Sequence, residues 1–329
     1  MVIFFTFDEL FALNENSINA LYLVLRETPI TGIYYSSSFW RLEDKRGWCK
    51  AREKKLDILN IPLVFSPDFI FENQYSKITP EFNVKWLPDF TTVDTDQSAI
   101  HIVNEIISSK KNRIVIGLIG SLGKWKGILE LIHILNENSD LCDRILFVIC
   151  GKIAKETFNS EELEFLANAL EQLSNKVVYY PQFIDSAKGF NSIISNCDYM
   201  YCLYNNPQSS GILSKAIAFN KKALCFNKHL LGDISFLLPA ETVSFSSISY
   251  NALCSLIEYD KKKESFSSGL SPEKYRKMIS VKSFSELFIY EITRIIFPKK
   301  NYGSNIFAPV ELLQIKRELL NKLDNREKI

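Results

Sequence analysis

Two apolar-run-to-helix junctions in this chain carry residues suited to holding a diphosphate. The first is Gly120-Ser121-Leu122-Gly123-Lys124-Trp125-Lys126-Gly127. Glycine lets the backbone come close to a ligand, and a helix opening after such a loop offers free N–H groups and partial positive charge. Lys124 and Lys126 add full charges that suit a diphosphate. The plainer reading is a tight turn with two solvated lysines. The loop matches neither GxxxxGK[ST] nor GxGxxG. The second junction is Pro207-Gln208-Ser209-Ser210-Gly211-Ile212-Leu213, where Ser209 or Ser210 is suited to cap a helix. Its hydroxyls and the N–H groups that follow would make a second anion cradle facing the first; an ordinary capped helix is the alternative. Gly151-Lys152 offers a further close backbone approach or a cation. Tyr180-Pro181-Gln182-Phe183 offers an aromatic that stacks on a nucleobase if exposed and fills the core if not.

Other chemistry is thinner. Asp94-Thr95-Asp96 is a formal DxD, a pattern that holds a divalent metal when it ends an apolar strand, but here it lies in a polar stretch. His101, His133 and His229 are far apart and show no metal-ligand spacing, so no metal site is expected. Lys261 to Lys263 are flanked by Asp260 and Glu264 and read as a solvated segment. Tyr34, Tyr35, Phe39 and Trp40 suit either an acceptor cleft or core packing, and no GxSxG supports a serine nucleophile.

The elements that must position these loops follow from periodicity. RIVIGLIG (113–120), RILFVICG (144–151), KVVYYPQF (176–183), DYMYCLY (198–204) and KALCF (222–226) read as strands. Helical spacing fills the gaps: Ile128, Leu131, Ile132 and Leu135 first, then Leu163, Leu166, Ala167 and Leu170, then 190–197 and 210–219. Almost wholly apolar strands alternating with helices predict a doubly wound, Rossmann-like α/β domain, with ligands beyond the carboxyl ends of the strands. The first part is similar: strands over 2–7, 32–37, 61–67 and 83–90, helices over 17–26 and 41–58, and a polar linker over 91–98. Helices at 283–296 and 310–324 close the chain. The expected domains are 1–98, 99–285 and a helical extension, 286–329.

Composition narrows the function classes. With 39 basic and 38 acidic side chains the formal net charge is +1, so no global field favours nucleic acid, and any anion must be captured locally. The seven cysteines are scattered without a CxxC and read as small buried hydrophobes in a reducing compartment. No apolar run reaches the ~18 residues of a membrane span. The expected location is the cytoplasm, with contact at the inner face of the membrane compatible with it.

Taken together, these segments resemble the nucleotide-sugar domain of family-4 (group-1) glycosyltransferases of the GT-B fold. The match rests on Gly120-Ser121-Leu122 followed by Lys126-Gly127-Ile128, on Gly151-Lys152, and on Ser209-Ser210-Gly211 with Leu213 and Ala216. GIYYSSSFW (32–40) and NVKWLPDF (83–90) extend it into the first part. The resemblance implies a retaining, metal-independent transfer of a sugar from a nucleoside-diphosphate sugar to a glycan or lipid-linked acceptor, as in cell-surface polysaccharide synthesis, with no further cofactor. It implies that Lys126 contacts the diphosphate, that Gly120, Ser121, Gly151, Ser209, Ser210 and Gly211 line its backbone cradle, and that Phe183 lies near the base. Three features depart from the family. Ser121 stands where many members have Arg. Pro207 and Lys215 stand where the E-x7-E motif has its acids. Roughly 100 residues precede the linker, against the ~150 of a full doubly wound domain. The alternative expectation is a non-catalytic nucleotide-binding remnant, or a subunit whose partner chain completes the N-terminal domain.

Overall fold

The computed structural model describes residues 2–4, 6–35, 37, 39, 42–61, 63–68, 83–207, 210–262, 271–296 and 309–326. Contacts divide the chain into two units, the first of residues 1–90, 207–209 and 273–329, the second of 91–206 and 210–272. Each is an α/β unit built on a parallel sheet.

In the first unit the strands β1 (Val2–Phe4), β2 (Ile30–Ile33), β3 (Leu63–Ser66) and β4 (Asn83–Trp86) pair in chain order, all parallel. Helices α1 (Glu15–Leu25) and α2 (Arg46–Ile58) connect them. The Asn14 side chain accepts from Ser17 N and satisfies one of the orphan donors at the start of α1. Phe7, Phe11, Ile18, Ile30, Leu56 and Val64 form one buried cluster. Alternation along β3 turns Phe65 to the other face, where its ring lies 4.9 Å from that of Phe288.

The second unit holds six parallel strands: β5 (Ile114–Ile119), β6 (Ile145–Cys150), β7 (Val178–Tyr180), β8 (Tyr199–Cys202), β9 (Lys222–Phe226) and β10 (Thr242–Phe245). Their spatial order is β10-β9-β8-β5-β6-β7. Helices α3 (Ile100–Lys110), α4 (Ile128–Glu137), α5 (Ser160–Gln172), α6 (Ala187–Ser195), α7 (Gly211–Ala218), α8 (His229–Leu237) and α9 (Tyr250–Lys262) alternate with them. Every residue of β6 and β8 is buried, the pattern of strands covered on both faces. Cys150, Cys202 and Cys225 are buried within these strands as free thiols. The five strands expected here are present at slightly tighter limits. β10 was not expected, because TVSF is short and only Thr242 in it is buried.

Both expected domain limits move. The first falls at 90/91 rather than 98/99, because the linker is stitched to α6: Asn191 donates to Thr92 O (3.0 Å) and Asp94 O (2.8 Å), and Ser192 Oγ donates to Asp96 O (2.7 Å). The second falls at 272/273 rather than 285/286, and the terminal helices α10 (Pro272–Met278), α11 (Val281–Ile296) and α12 (Val310–Arg326) are no separate extension. Phe284 and Phe288 of α11 pack on Phe90 and Phe65, so α11 supplies core to the first unit. Ending the chain at residue 272 should therefore cost residues 1–90 their protease resistance while β5–β10 stay protected. Limited proteolysis with mass mapping reads this directly, and equal protection of both units would show that the terminal helices are dispensable.

Candidate functional site

Strand order decides where a ligand sits in the second unit. β5 lies beside β8; the chain runs outward from β5 through β6 and β7 on one side and from β8 through β9 and β10 on the other. Such a reversal opens a crevice at the carboxyl ends of the two central strands. The Gly120–Gly127 loop follows β5, and Ser210 opens α7 after β8, so both candidate junctions meet at this crevice. They are tied together: Asn205 N donates to Trp125 O (2.7 Å), and Tyr201 Oη donates to Gly127 O (3.2 Å).

Lys126 is the most unusual residue there. It sits in a tight turn, Lys124–Lys126, and is only 8% exposed. Its ammonium donates to Ile119 O at 2.7 Å and lies 5.2 Å from the centre of the Tyr204 ring. Burial lowers its pKa from 10.5 to about 8, with Cys202 opposing the shift. The Tyr204 hydroxyl, buried between Cys202 and Ser210, has its own pKa pushed far up by burial. Lys124 takes a different role from the one expected of it. Its ammonium pairs with Glu162, which also completes the capping box of α5 with Asn159, and that contact holds the Glu162 carboxyl below its usual range.

Two glycines bring strand ends together more closely than side chains allow. Gly120 and Gly151 have φ of +100° and +138°. A Cβ on Gly151 would fall 1.9 Å from the Gly120 carbonyl oxygen. Both glycines line a pocket of about 260 Å³ whose other walls include Phe183, Asp185, Phe190 and Lys215. Phe183 is 70% exposed, so it is a surface aromatic and no part of the core. Ser121 is exposed on the same loop. Ser210 caps α7 by accepting from Leu213 N (3.4 Å), and nothing lies within 4 Å of where a side chain on Gly211 would start. The N–H groups of Gly211 and Ile212, the first of α7, have no carbonyl acceptor within the helix. Ser209 lies outside the described residues.

Two residues not singled out from the sequence, Asp185 and Phe190, complete the pocket with Lys215, which stands at the second acidic position of E-x7-E. Asp185 and Phe190 flank the Phe183 loop, and no local motif marks them. Lys215 on α7 donates to Asn191 Oδ1 (2.7 Å), and burial lowers its pKa. The Asp94–Asp96 pair has a structural role: Asp96 accepts from Ser98 N (2.9 Å), Ser98 Oγ (2.5 Å) and Ser186 Oγ (2.9 Å). These bonds, led by that from the Ser98 hydroxyl, lower its pKa. Among the described residues no group of three His, Cys, Asp or Glu is placed to hold a metal.

Solved structures with this architecture are known. The HepE protein of Anabaena in complex with UDP and glucose is 13% identical over 85% of this chain and 76% of that one, with a TM-score of 0.60. Sucrose-phosphate synthase of Thermosynechococcus elongatus is 13% identical over 86% and 72%, with a TM-score of 0.58. A UDP-forming trehalose-phosphate synthase of Burkholderia vietnamiensis is 9% identical over 85% and 71%, also with a TM-score of 0.58. The fold is that of the GT-B glycosyltransferases. No protein-family model matches the sequence, and comparison with curated proteins finds no relative.

This GT-B crevice stores a cost that can be measured. A lysine with pKa about 8 when folded and 10.5 when unfolded destabilises the fold below pH 8 by about 3 kcal/mol, and the penalty fades as pH rises to 10.5. Lys126→Met should raise unfolding free energy at pH 7 by up to that amount, with the gain gone above pH 10.5. Denaturant titrations at the two pH values check both size and sign. Gly151→Ala should cost about 2–4 kcal/mol, because the added methyl meets backbone that cannot yield.

Proposed function

We propose that this chain transfers a sugar from a nucleoside-diphosphate sugar to an acceptor hydroxyl. One observation carries the reading: a buried ammonium, Lys126, follows β5, and the amino end of α7, capped by Ser210, follows β8, the neighbouring central strand. When the glycosidic bond breaks, negative charge grows on the leaving diphosphate. Fixed donors in a site of low dielectric stabilise that charge with little reorganisation. Lys126 has three N–H donors and spends one on Ile119 O, which aims the group and leaves two for a phosphate oxygen. Gly120, Ser121 and Gly151 let the diphosphate approach the backbone, Ser210 fixes the start of α7, and Gly211 leaves that start uncovered. Phe183 offers its ring to the base. The charge is met wholly by the protein, so the step as proposed uses no metal, and the resemblance to retaining enzymes suggests retention at the anomeric carbon. HepE, whose crystals contain UDP and glucose, supports a nucleotide sugar as donor class. A glycan or lipid-linked acceptor in cell-surface polysaccharide synthesis fits the same resemblance.

A second reading has its own observation. Pro207 and Lys215 occupy the positions where many related enzymes carry the acidic pair, and Lys215 lines the pocket with its ammonium bound to Asn191. A chain so altered would bind a nucleotide without turning over a donor. Calorimetry with a panel of nucleoside diphosphates, run beside an assay of donor hydrolysis, separates the two: binding without hydrolysis or transfer supports the second.

Three outcomes are expected under the transferase reading. Lys126→Ala should lower kcat/KM by about 30- to 1,000-fold, or 2–4 kcal/mol of transition-state stabilisation; unchanged turnover would remove Lys126 from the mechanism. Phe183→Ala should weaken nucleoside-diphosphate affinity by about 1–3 kcal/mol, the worth of one base–aromatic stack. The same affinity should fall as pH rises through about 8, where the free Lys126 loses its charge, and the Lys126→Ala protein should lack that dependence.

A further inference from the structure

The second unit has another cleft, at the end of the sheet away from the pocket described above. Its lining comes from three segments that precede or open central strands: Lys110–Ile114 before β5, Asp198–Tyr199 at β8, and Asn220–Lys222 at β9. The strands are parallel, so these amino ends and the carboxyl ends that carry Lys126 and Ser210 lie at opposite margins of the sheet. The cleft holds about 500 Å³, the size of a small-molecule site.

Its charge is concentrated. Lys110, Lys111, Arg113, Lys221 and Lys222 face one carboxylate, Asp198, which gives the lining a net charge of +4 in a chain whose total is +1. Asp198 is already engaged: Oδ1 accepts from Lys110 (2.9 Å) and Oδ2 from Val115 N (2.9 Å). Arg113 is pinned by bonds to the carbonyls of Ser109, Cys142 and Lys176, which fixes a permanent charge in the wall. Lys111 and Lys221 add further charge to the lining, and Lys222 lies 6.0 Å from the centre of the Tyr199 ring. Lys111 and Asn220 take left-handed turns (φ +44° and +55°) that start the strands and hold these segments in place. Like charges gathered on rigid elements repel one another, and a concave, walled arrangement focuses their field on an anion.

We propose that this cleft is a second anion site, separate from the donor pocket, that takes a phosphate-bearing ligand. Phosphate groups supply the dense negative charge and multiple acceptors that a ring of lysines with flanking Asn112 and Asn220 amides can match. The phosphate can belong to a soluble ligand or to a lipid headgroup, and the two sources are separable. The proposal stands whether or not the chain transfers sugar.

The test uses the full-length Lys126→Ala protein, in which the cation proposed for the donor pocket is removed, and compares it with the same protein carrying Lys111→Glu and Lys221→Glu. Calorimetry with inorganic pyrophosphate reads the soluble source. Co-sedimentation with phosphatidylcholine vesicles, with and without phosphatidylglycerol, reads the lipid source. Binding in either arm should fall at least about tenfold on reversing the two lysines, since each cation near a phosphate surface contributes about fivefold, and it should weaken with added salt. A protein with Lys50→Glu and Lys54→Glu on α2 carries the same change in net charge elsewhere and should bind like its parent. Circular dichroism confirms that each variant folds, and Lys111→Gln with Lys221→Gln replaces the reversal if it does not. Pyrophosphate binding alone assigns a soluble ligand, and vesicle binding alone assigns a headgroup. Binding that is absent in both arms, or equally reduced by the α2 control, overturns the proposal.

Discussion

An ammonium held away from water at the end of a parallel sheet must find acceptors or give up its proton. Lys126 has Ile119 O as its direct acceptor, and its lowered pKa shows that this leaves it incompletely compensated. Much of the crevice follows from keeping that group in place. The tight turn that carries Lys126 is joined to the segment after β8 through Trp125 and Asn205, and Tyr201 anchors Gly127. Gly120 has no side chain partly because one would start 3.1 Å from the Lys126 nitrogen. In the proposed donor site an anion beside Lys126 would supply that compensation, so the stability lost by burying the ammonium would return as affinity.

Backbone approach is the second constraint, and it links the sheet to the pocket. The ends of β5 and β6 converge until Gly151 leaves no space for a methyl group against Gly120 O. Leu122 N donates to Lys152 O (2.9 Å) and Ala154 N to Leu122 O (3.2 Å), so the two loops continue the ladder past the strands. This gives a firm floor, over which the exposed Phe183 and the side chains of Asp185, Phe190 and Lys215 are arranged.

The linker shows how polar side chains set domain limits. A stretch rich in Thr, Asp and Ser has few ways to bury itself, yet Asn191, Ser192 and Ser186 on and before α6 bind its carbonyls and the Asp96 carboxylate. Asn191 also accepts from Lys215, so one side chain connects the linker to the pocket wall. The Asp96 carboxylate, half of the acidic pair that invites a metal reading in the sequence, is consumed by these local bonds.

The sequence by itself determined β5 to β9 and the helices between them, the two junctions and their anion-suited residues, because period-2 and period-3.6 patterning and glycine positions are local properties. It also marked Lys126, by its place between two glycine turns. Only the tertiary structure decided that β5 and β8 are neighbours, since strand order depends on which faces find partners across the whole sheet. The same holds for Lys124, turned to Glu162, for Phe183, left in solvent, and for the lysines of the amino-end cleft, which come from segments about 110 residues apart. The terminal helices are the clearest case. Their pattern shows that they are helices with an apolar face, but that the face of α11 meets Phe65 and Phe90, more than 190 residues earlier, is set by packing alone.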